Sequence, residues 1–148
     1  MVIVKEVAWQ EIKGQWEPLV KAGFHKTYCG IGEAYGDIKT LRDKLKSIEK
    51  YSEYKKVKIW GAFSENRLVG FIVGSVKSGT YTIFDIFVSK GLRKQGIGKM
   101  LVRESVRDSD CIRAQAEVRI DNLASQKLFN SIGFKKKMTV DFYVKKKA

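Results

Sequence analysis

The stretch "LRKQGIGKML", residues 92–101, places two glycines two positions apart, after an arginine and a lysine and before helix-like sequence. A helix N-terminus leaves about four backbone N–H groups without internal partners, and the helix dipole adds roughly half a positive charge there. Glycines let successive N–H groups converge, and they let a ligand approach without interference from Cβ atoms. Arg93, Lys94 and Lys99 add positive charge at the rim. The segment 93–99 therefore predicts an anion site, and a pyrophosphate fits it.

The residues around these glycines argue against two common phosphate-binding loops. The Lys-Ser/Thr ending of a nucleoside-triphosphate loop is absent, which argues against ATP with magnesium. The stretch is also too short for the three-glycine fingerprint of dinucleotide-binding folds. An ordinary strand-to-helix turn with incidental glycines is the alternative that these residues, taken alone, leave open.

Hydrophobic periodicity predicts one strand and two helices in the first third of the chain. "VIVKEV" alternates and predicts a strand, and residues 9–24 have helical spacing with a break or a new first turn at Pro18. "CGIGEAYGD" is glycine-rich and predicts a loop. A second amphipathic helix follows, because its apolar residues fall on one face: Leu41, Leu45, Ile48 and Tyr51.

The rest of the chain predicts strands interrupted by two helices. "VKIWGAF" and "RLVGFIVGSV" form a hairpin, "KSG" is a turn, and "YTIFDIFV" is a buried strand. A helix from Ile97 follows the glycines. The remaining elements are the alternating strand "CIRAQAEVRI" with Ile112 on its inner face, the capped helix "DNLASQKLFNSIGF", and the last strand "MTVDFYV". The order β-α-α-β-β-β-α-β-α-β predicts one α/β (α+β) domain over residues 1–148, with helices against a mixed sheet.

Two blocks of this sequence resemble the GNAT superfamily of acyl-CoA-dependent N-acetyltransferases. They are "DIFVSKGLRKQGIGKML" and "AEVRIDNLASQKLFNSIGF", in the family's order and at a similar separation. The resemblance implies a mostly antiparallel mixed sheet with a central splayed parallel pair, flanked by helices. It also implies transfer of an acetyl group from acetyl-CoA to a primary amine, without a metal. It allows a homodimer.

The resemblance assigns residues to coenzyme A. The backbone of Ile86, Phe87 and Val88 would pair with the pantetheine arm, and Asn122 and Ser125 would lie near it. The alternative for Asn122 is a plain N-cap of the last helix, and both roles can hold at once. Phe129 occupies a position where many family members carry a tyrosine. The backbone N–H groups that would hold the pyrophosphate belong to Arg93, Lys94, Gln95, Gly96, Ile97, Gly98 and Lys99.

Acyl transfer to an amine needs a base, because an alkylamine of pKa about 10.4 must lose a proton before it attacks. Glu117 is the candidate base, since in some family members an acidic residue or histidine at this motif position serves as base; the alternative is an ion pair with Arg113 or Arg119. A phenyl ring at 129 cannot protonate the leaving thiolate. Either the thiolate leaves without help, or Tyr81, Tyr143 or water supplies the proton. Asp85 is either a second acid/base group or a backbone partner at a bulge.

Composition and charge limit the remaining function classes. The chain has 148 residues, 44% hydrophobic, and a net charge of +13. This field attracts anions and disfavours polycationic acceptors such as polyamines and aminoglycosides. A non-catalytic acyl-CoA-binding module and a basic nucleic-acid-binding protein are the alternatives, although the lysines are scattered rather than arranged in a stripe.

Two cysteines, Cys29 and Cys111, and a single histidine, His25, give no metal-binding spacing. No apolar run is long enough to cross a bilayer, and the N-terminus lacks the pattern of a signal peptide. The sequence therefore predicts a cytoplasmic protein.

Overall fold

The computed structural model describes residues 1–23, 27–28, 37–38, 40–54, 56–118, 120, 122–139 and 145. Its strands are β1 (Val2–Val7), β2 (Thr27–Tyr28), β3 (Asp37–Ile38), β4 (Val57–Ser64), β5 (Arg67–Lys77), β6 (Thr80–Val88) and β7 (Arg113–Ala116). Its α-helices are α1 (Trp9–Ile12), α2 (Trp16–Gly23), α3 (Leu41–Ser52), α4 (Ile97–Asp108) and α5 (Leu123–Ser131), and a 3-10 turn spans Lys90–Leu92.

Five strands form one mixed sheet in the order β1-β4-β5-β6-β7, and β2 and β3 form a separate short antiparallel pair. Neighbours from β1 to β6 are antiparallel, whereas β6 and β7 are parallel. Two tight turns connect β4 to β5 and β5 to β6. Each contains two consecutive residues with positive φ, Glu65 and Asn66 in the first, Ser78 and Gly79 in the second. Such turns match the twist of the flanking strands.

The sheet lies between two helical layers, each with its own hydrophobic core. On one face, α1, α2 and α3 pack against Phe71 and Val73 of β5 and against Phe87 of β6. On the other face, α4 and α5 pack against Ile72 of β5 and Ile83 of β6. The central part of β5 is buried on both faces, which explains why its sequence is almost continuously apolar.

The predicted elements from β1 to α5 are found in the predicted order, but the structure divides the first helix in two and adds the short strands β2 and β3, which the sequence did not predict. Residues 9–24 break at Lys13–Gln15, and Pro18 falls in the first turn of α2, where its missing N–H costs no hydrogen bond. The expected strand "CIRAQAEVRI" is shorter, only Arg113–Ala116. Ile112 was placed wrongly on its inner face, since it precedes the strand and is 95% exposed. The predicted loop at 29–37 and the last strand lie largely outside the described residues.

A β-bulge interrupts the β5–β6 ladder. Val73 pairs with Asp85 and Gly74 pairs with Ile83, so Phe84 is the extra residue. Gly74 lets the strands approach at this point, because a Cβ there would lie 2.5 Å from the carbonyl oxygen of Thr82 and 2.5 Å from the Tyr81 ring. Both neighbours are held, the first by the backbone and the second by the core.

We expect Gly74→Ala to lower the free energy of unfolding by about 1–3 kcal/mol, as overpacking of a close-packed site does. Urea unfolding followed by circular dichroism measures the change. The matched control is Gly14→Ala, because a Cβ at Gly14 meets nothing within 4 Å. A variant Gly74→Ala as stable as Gly14→Ala would contradict the close approach of the two strands.

Candidate active site

Strands β6 and β7 pair only at their beginnings and then separate. The last parallel pair is Ile83 with Ala116, and the bulge at Phe84 follows immediately. Beyond it, residues 85–88 pair with β5 on one side, while on the other side residues 84–88 pair with no described strand. We call this free backbone edge of residues 84–88 the open edge. It offers N–H and C=O groups to an extended ligand, as the edge of any sheet does.

The glycine-containing loop follows the open edge and starts α4. Lys94 and Gly96 both have positive φ, 65° and 83°, and alternate with residues of negative φ. Such alternation turns successive N–H groups toward one concave side, which suits an anion. A Cβ at Gly96 would meet nothing within 4 Å, so the loop is open at this point.

The N-terminus of α4 differs from those of α3 and α5. The side chain of Thr40 caps α3 by accepting from Asp43 N, and the side chain of Asn122 caps α5 by accepting from Ser125 N. Gly96 provides no side-chain cap for α4. The first N–H groups of α4 therefore keep their capacity to donate to a bound anion, and Lys94 and Lys99 lie exposed beside them.

Arg93 does not contribute a mobile charge at the rim, contrary to the sequence expectation. Its guanidinium donates to the carbonyl oxygen of Ala22 at 3.1 Å and, more weakly, to that of Val88 at 3.4 Å. Ala22 lies in the last turn of α2, where a cation also complements the helix dipole. The Arg93 side chain thus ties the loop to α2 and to the end of β6, and binding of an anion by its backbone N–H stays a prediction.

The other residues assigned to the loop have distinct environments. Gln95 and Lys99 are exposed, and Ile97 is buried in the core beneath α4. A Cβ at Gly98 would lie 3.4 Å from the side chain of Leu128, which is an ordinary van der Waals contact. Gly98 therefore lies where α4 meets α5, but the packing there does not require a glycine.

The residues assigned on α5 divide between surface and core. The side chain of Asn122 is an N-cap, and Ser125 supplies the capped N–H at 3.1 Å. Phe129 is buried, and its ring lies 5.0 Å from that of Phe134. A packing role for Phe129 is therefore established by its contacts, and a contact with the pantetheine arm remains a prediction.

Glu117 directly follows the last residue of β7, at the point where β6 and β7 separate. It is exposed to solvent. The alternative partner Arg113 donates instead to the side chain of Gln115 at 2.9 Å, and Arg119 lies outside the described residues. Glu117 is thus accessible to solvent at the point where the two strands begin to separate.

A buried ion pair lies on the face of β6 that packs against α3. Lys44 Nζ of α3 is 2.6 Å from Asp85 Oδ1, and both side chains are almost fully enclosed. Burial raises the pKa of the Asp85 carboxyl above its ordinary value, and the Lys44 ammonium partly offsets that rise. The second oxygen, Oδ2, has no hydrogen-bond partner among the described residues. Asp85 is therefore held by a side chain from α3 rather than by backbone groups at the bulge.

Tyr81 is excluded as a donor to the leaving thiolate. Its side chain is fully buried, with its ring 5.5 Å from that of Trp60, and it lies in the part of β6 that is still paired with β7. Burial raises the pKa of its phenol above the ordinary range. Tyr143, the other tyrosine considered, and His25 lie outside the described residues.

The sequence reasoning missed Lys44 as a site residue. The signal was its position: it is three residues after Leu41 and four before Ile48, so it falls on the apolar face of α3. A lysine on a buried face needs a partner, and Asp85 was the carboxylate within an apolar strand. No part of the described chain contains a cluster of His, Cys, Asp or Glu fit for a metal ion, or a helix that could span a membrane.

The chain matches the family model described as the acetyltransferase (GNAT) family over residues 28–134. No curated protein sequence is significantly similar to it. Among solved structures, it superposes on the aminoglycoside N-acetyltransferase AAC(6')-Iy in complex with a CoA bisubstrate analogue. The TM-score is 0.70, the identity is 18%, and 99% of each chain is covered. It also superposes on the ribosomal-protein-alanine N-acetyltransferase of Brucella melitensis biovar Abortus 2308, with a TM-score of 0.70, 15% identity and 100% of each chain covered.

We expect Gly96→Asp to abolish most acetyl-CoA binding and Gly96→Asn to preserve much of it. Both residues tolerate positive φ and have nearly the same shape, so they differ mainly by one negative charge at the predicted phosphate position. The Kd of the aspartate variant should exceed that of the asparagine variant by at least about tenfold, because like charges at close range are strongly unfavourable. Isothermal calorimetry measures both constants. Equal Kd values for the two variants would remove the loop from the anion site.

Proposed function

The chain belongs to the acetyltransferase (GNAT) family, so it is an acyltransferase that uses acetyl-CoA, and we propose that it transfers the acetyl group to a primary amine. The observation that carries this proposal is the combination of the open edge with the uncapped glycine loop at its end. An extended arm with a pyrophosphate at one end matches both features. Neither feature is needed for the stability of a sheet with a helix against it.

The residues present fit acetyl-CoA. The N–H groups of 93–99 would hold the pyrophosphate, and the backbone of Ile86, Phe87 and Val88 would pair with the pantetheine arm along the open edge. Asn122 and Ser125 would border the arm from the start of α5. Bound in this way, acetyl-CoA supplies an acetyl thioester, a carbonyl carbon that an amine can attack. The chain's own part is to orient the two reactants and to manage the protons.

Glu117 is the proposed base. An amine of pKa about 10.4 is almost wholly protonated at neutral pH, so its attack depends on a group that takes the proton. Glu117 lies where β7 parts from β6 and is open to solvent, so an acceptor can approach it and the proton can leave. The carboxylate of Asp85 is a poorer candidate, because Lys44 already binds one of its oxygens. With phenylalanine at 129, we propose that water protonates the thiolate.

The acceptor is proposed to be an amine that lacks further positive charges. The structural relatives include enzymes for aminoglycosides and for a ribosomal-protein alanine. The net charge of +13 repels a polycation over the whole surface. Asp85 belongs to the segment that forms the open edge, and Lys44 neutralises its enclosed carboxylate. An amine bearing a carboxylate or phosphate, or an amine on an acidic protein segment, suits these charges better.

We also propose that the protein is cytoplasmic, where its co-substrate is made. A homodimer is proposed on the family resemblance alone.

We expect Glu117→Gln to lower kcat by roughly 10²–10⁴-fold, the usual contribution of a positioned acid or base. The amide keeps the size and polarity of the side chain but cannot accept the proton, so the Kd for acetyl-CoA should stay unchanged. Thiol release measures turnover, and for the unmodified protein it should rise with pH along a single limb. The control is Glu49→Gln, an exposed glutamate on α3. Full turnover by Glu117→Gln would assign the base to another group.

The charge argument is tested with three amines that share a four-carbon chain: 4-aminobutyrate, 1-aminobutane and 1,4-diaminobutane. At saturating acetyl-CoA we expect kcat/KM to fall in that order. The spread should shrink as ionic strength rises, because salt screens the field of the protein. Thiol release again provides the rates. A preference for the diamine at low salt would show that a local acidic site overrides the net charge.

A further inference from the structure

Helix α3 contacts two consecutive residues of β6 on the same face. The Tyr51 ring lies 5.2 Å from the Phe84 ring, and Lys44 Nζ lies 2.6 Å from Asp85 Oδ1. In a regular strand, successive side chains point to opposite faces. Phe84 and Asp85 share a face because Phe84 is the bulged residue. Helix α3 therefore holds the bulge at both of its residues.

The position of the bulge decides where the open edge begins. Up to Ile83, β6 is paired with β7; from Asp85 to Val88 it is paired, among the described strands, with β5 alone. A bulge bends the strand and increases its local twist, which turns the following backbone away from its neighbour. Lys44 also lies 5.9 Å from the centre of the Phe87 ring, so it contacts the strand on the far side of the bulge as well. The lysine thus contacts β6 at two residues just beyond the point of separation.

A contribution to stability does not by itself explain why Lys44 and Asp85 are buried together. Removing two charges from water is costly, and replacing a buried ion pair with uncharged side chains is often neutral or stabilising. What an ion pair adds is direction, since a short bond from Lys44 fixes the Asp85 carboxylate and the backbone that carries it. The expected effect of the pair is therefore on the shape of the strand.

We propose that Lys44 is a positioning residue for the acyl donor: through its bond to Asp85, it fixes the bulge that holds the open edge apart from β7. The inference rests on the proposed function, since the open edge is the proposed seat of the pantetheine arm. It assigns a role in acetyl-CoA binding to a helix outside both sequence blocks that resemble the family.

The experiment compares two probes that share the pyrophosphate: acetyl-CoA, and 3′-phosphoadenosine 5′-diphosphate, which lacks the pantetheine arm. The test variant is the double substitution Lys44→Met with Asp85→Asn, which keeps both shapes and leaves no unpaired buried charge, so it should fold. We expect its Kd for acetyl-CoA to rise roughly tenfold, a typical size for residues that act through a shared network. The Kd for the nucleotide, measured by displacement, should change less than about twofold, because the loop at 93–99 is untouched.

The single variant Lys44→Met serves as a second test, and Lys46→Met is the matched control. Lys46 is exposed on the same helix, so its loss removes the same charge without touching Asp85. A double variant that binds acetyl-CoA as tightly as the unmodified protein would overturn the proposal. Equal weakening for both probes would also overturn it, because the defect would then be general. An unmodified protein that binds neither probe would instead refute the proposed function itself, and this inference with it.

Discussion

The separation of β6 from β7 is the feature on which the rest of the site depends. A parallel pair that continued to Val88 would satisfy its own backbone groups and leave no room for a ligand arm. The bulge at Phe84 ends the pairing after Ile83 and Ala116. In the part of the chain that the structure describes, one edge of residues 84–88 then pairs with no strand, and the glycine loop and α4 follow this segment. The proposed acyl-donor site is thus mostly backbone, and side chains serve mainly to hold that backbone in place.

Two cationic side chains near the proposed site bind other parts of the protein and hold the loop and the strand in place. Arg93 binds the carbonyl oxygens of Ala22 in α2 and of Val88 at the end of β6. Lys44 of α3 acts in the same way, on the strand rather than on the loop. Two helices of the same layer therefore contact the segment from Asp85 to Arg93. A rigid frame of this kind suits a site in which two reactants must be aligned closely.

Charge acts on this protein at two ranges. The net charge of +13 creates a field that draws phosphate-bearing molecules toward the surface. At the open edge, Lys44 neutralises the Asp85 carboxylate, which would otherwise attract a cationic acceptor. The same fold in aminoglycoside acetyltransferases does not transfer their acceptors to this chain, because the fold is shared at 18% identity whereas the charges belong to each sequence.

The sequence determined the order of elements, the hairpins and the glycine loop, because these depend on local periodicity, turn residues and backbone freedom. It also predicted Asn122 as an N-cap, which the structure confirms. The tertiary structure alone decided the end of β7 after Ala116, the exposure of Ile112 and the enclosure of Tyr81. It also decided the pairing of Lys44 with Asp85, 41 residues apart. The reason is physical: strand ends, burial and ion pairs depend on which distant segments pack together, and no local pattern records that choice.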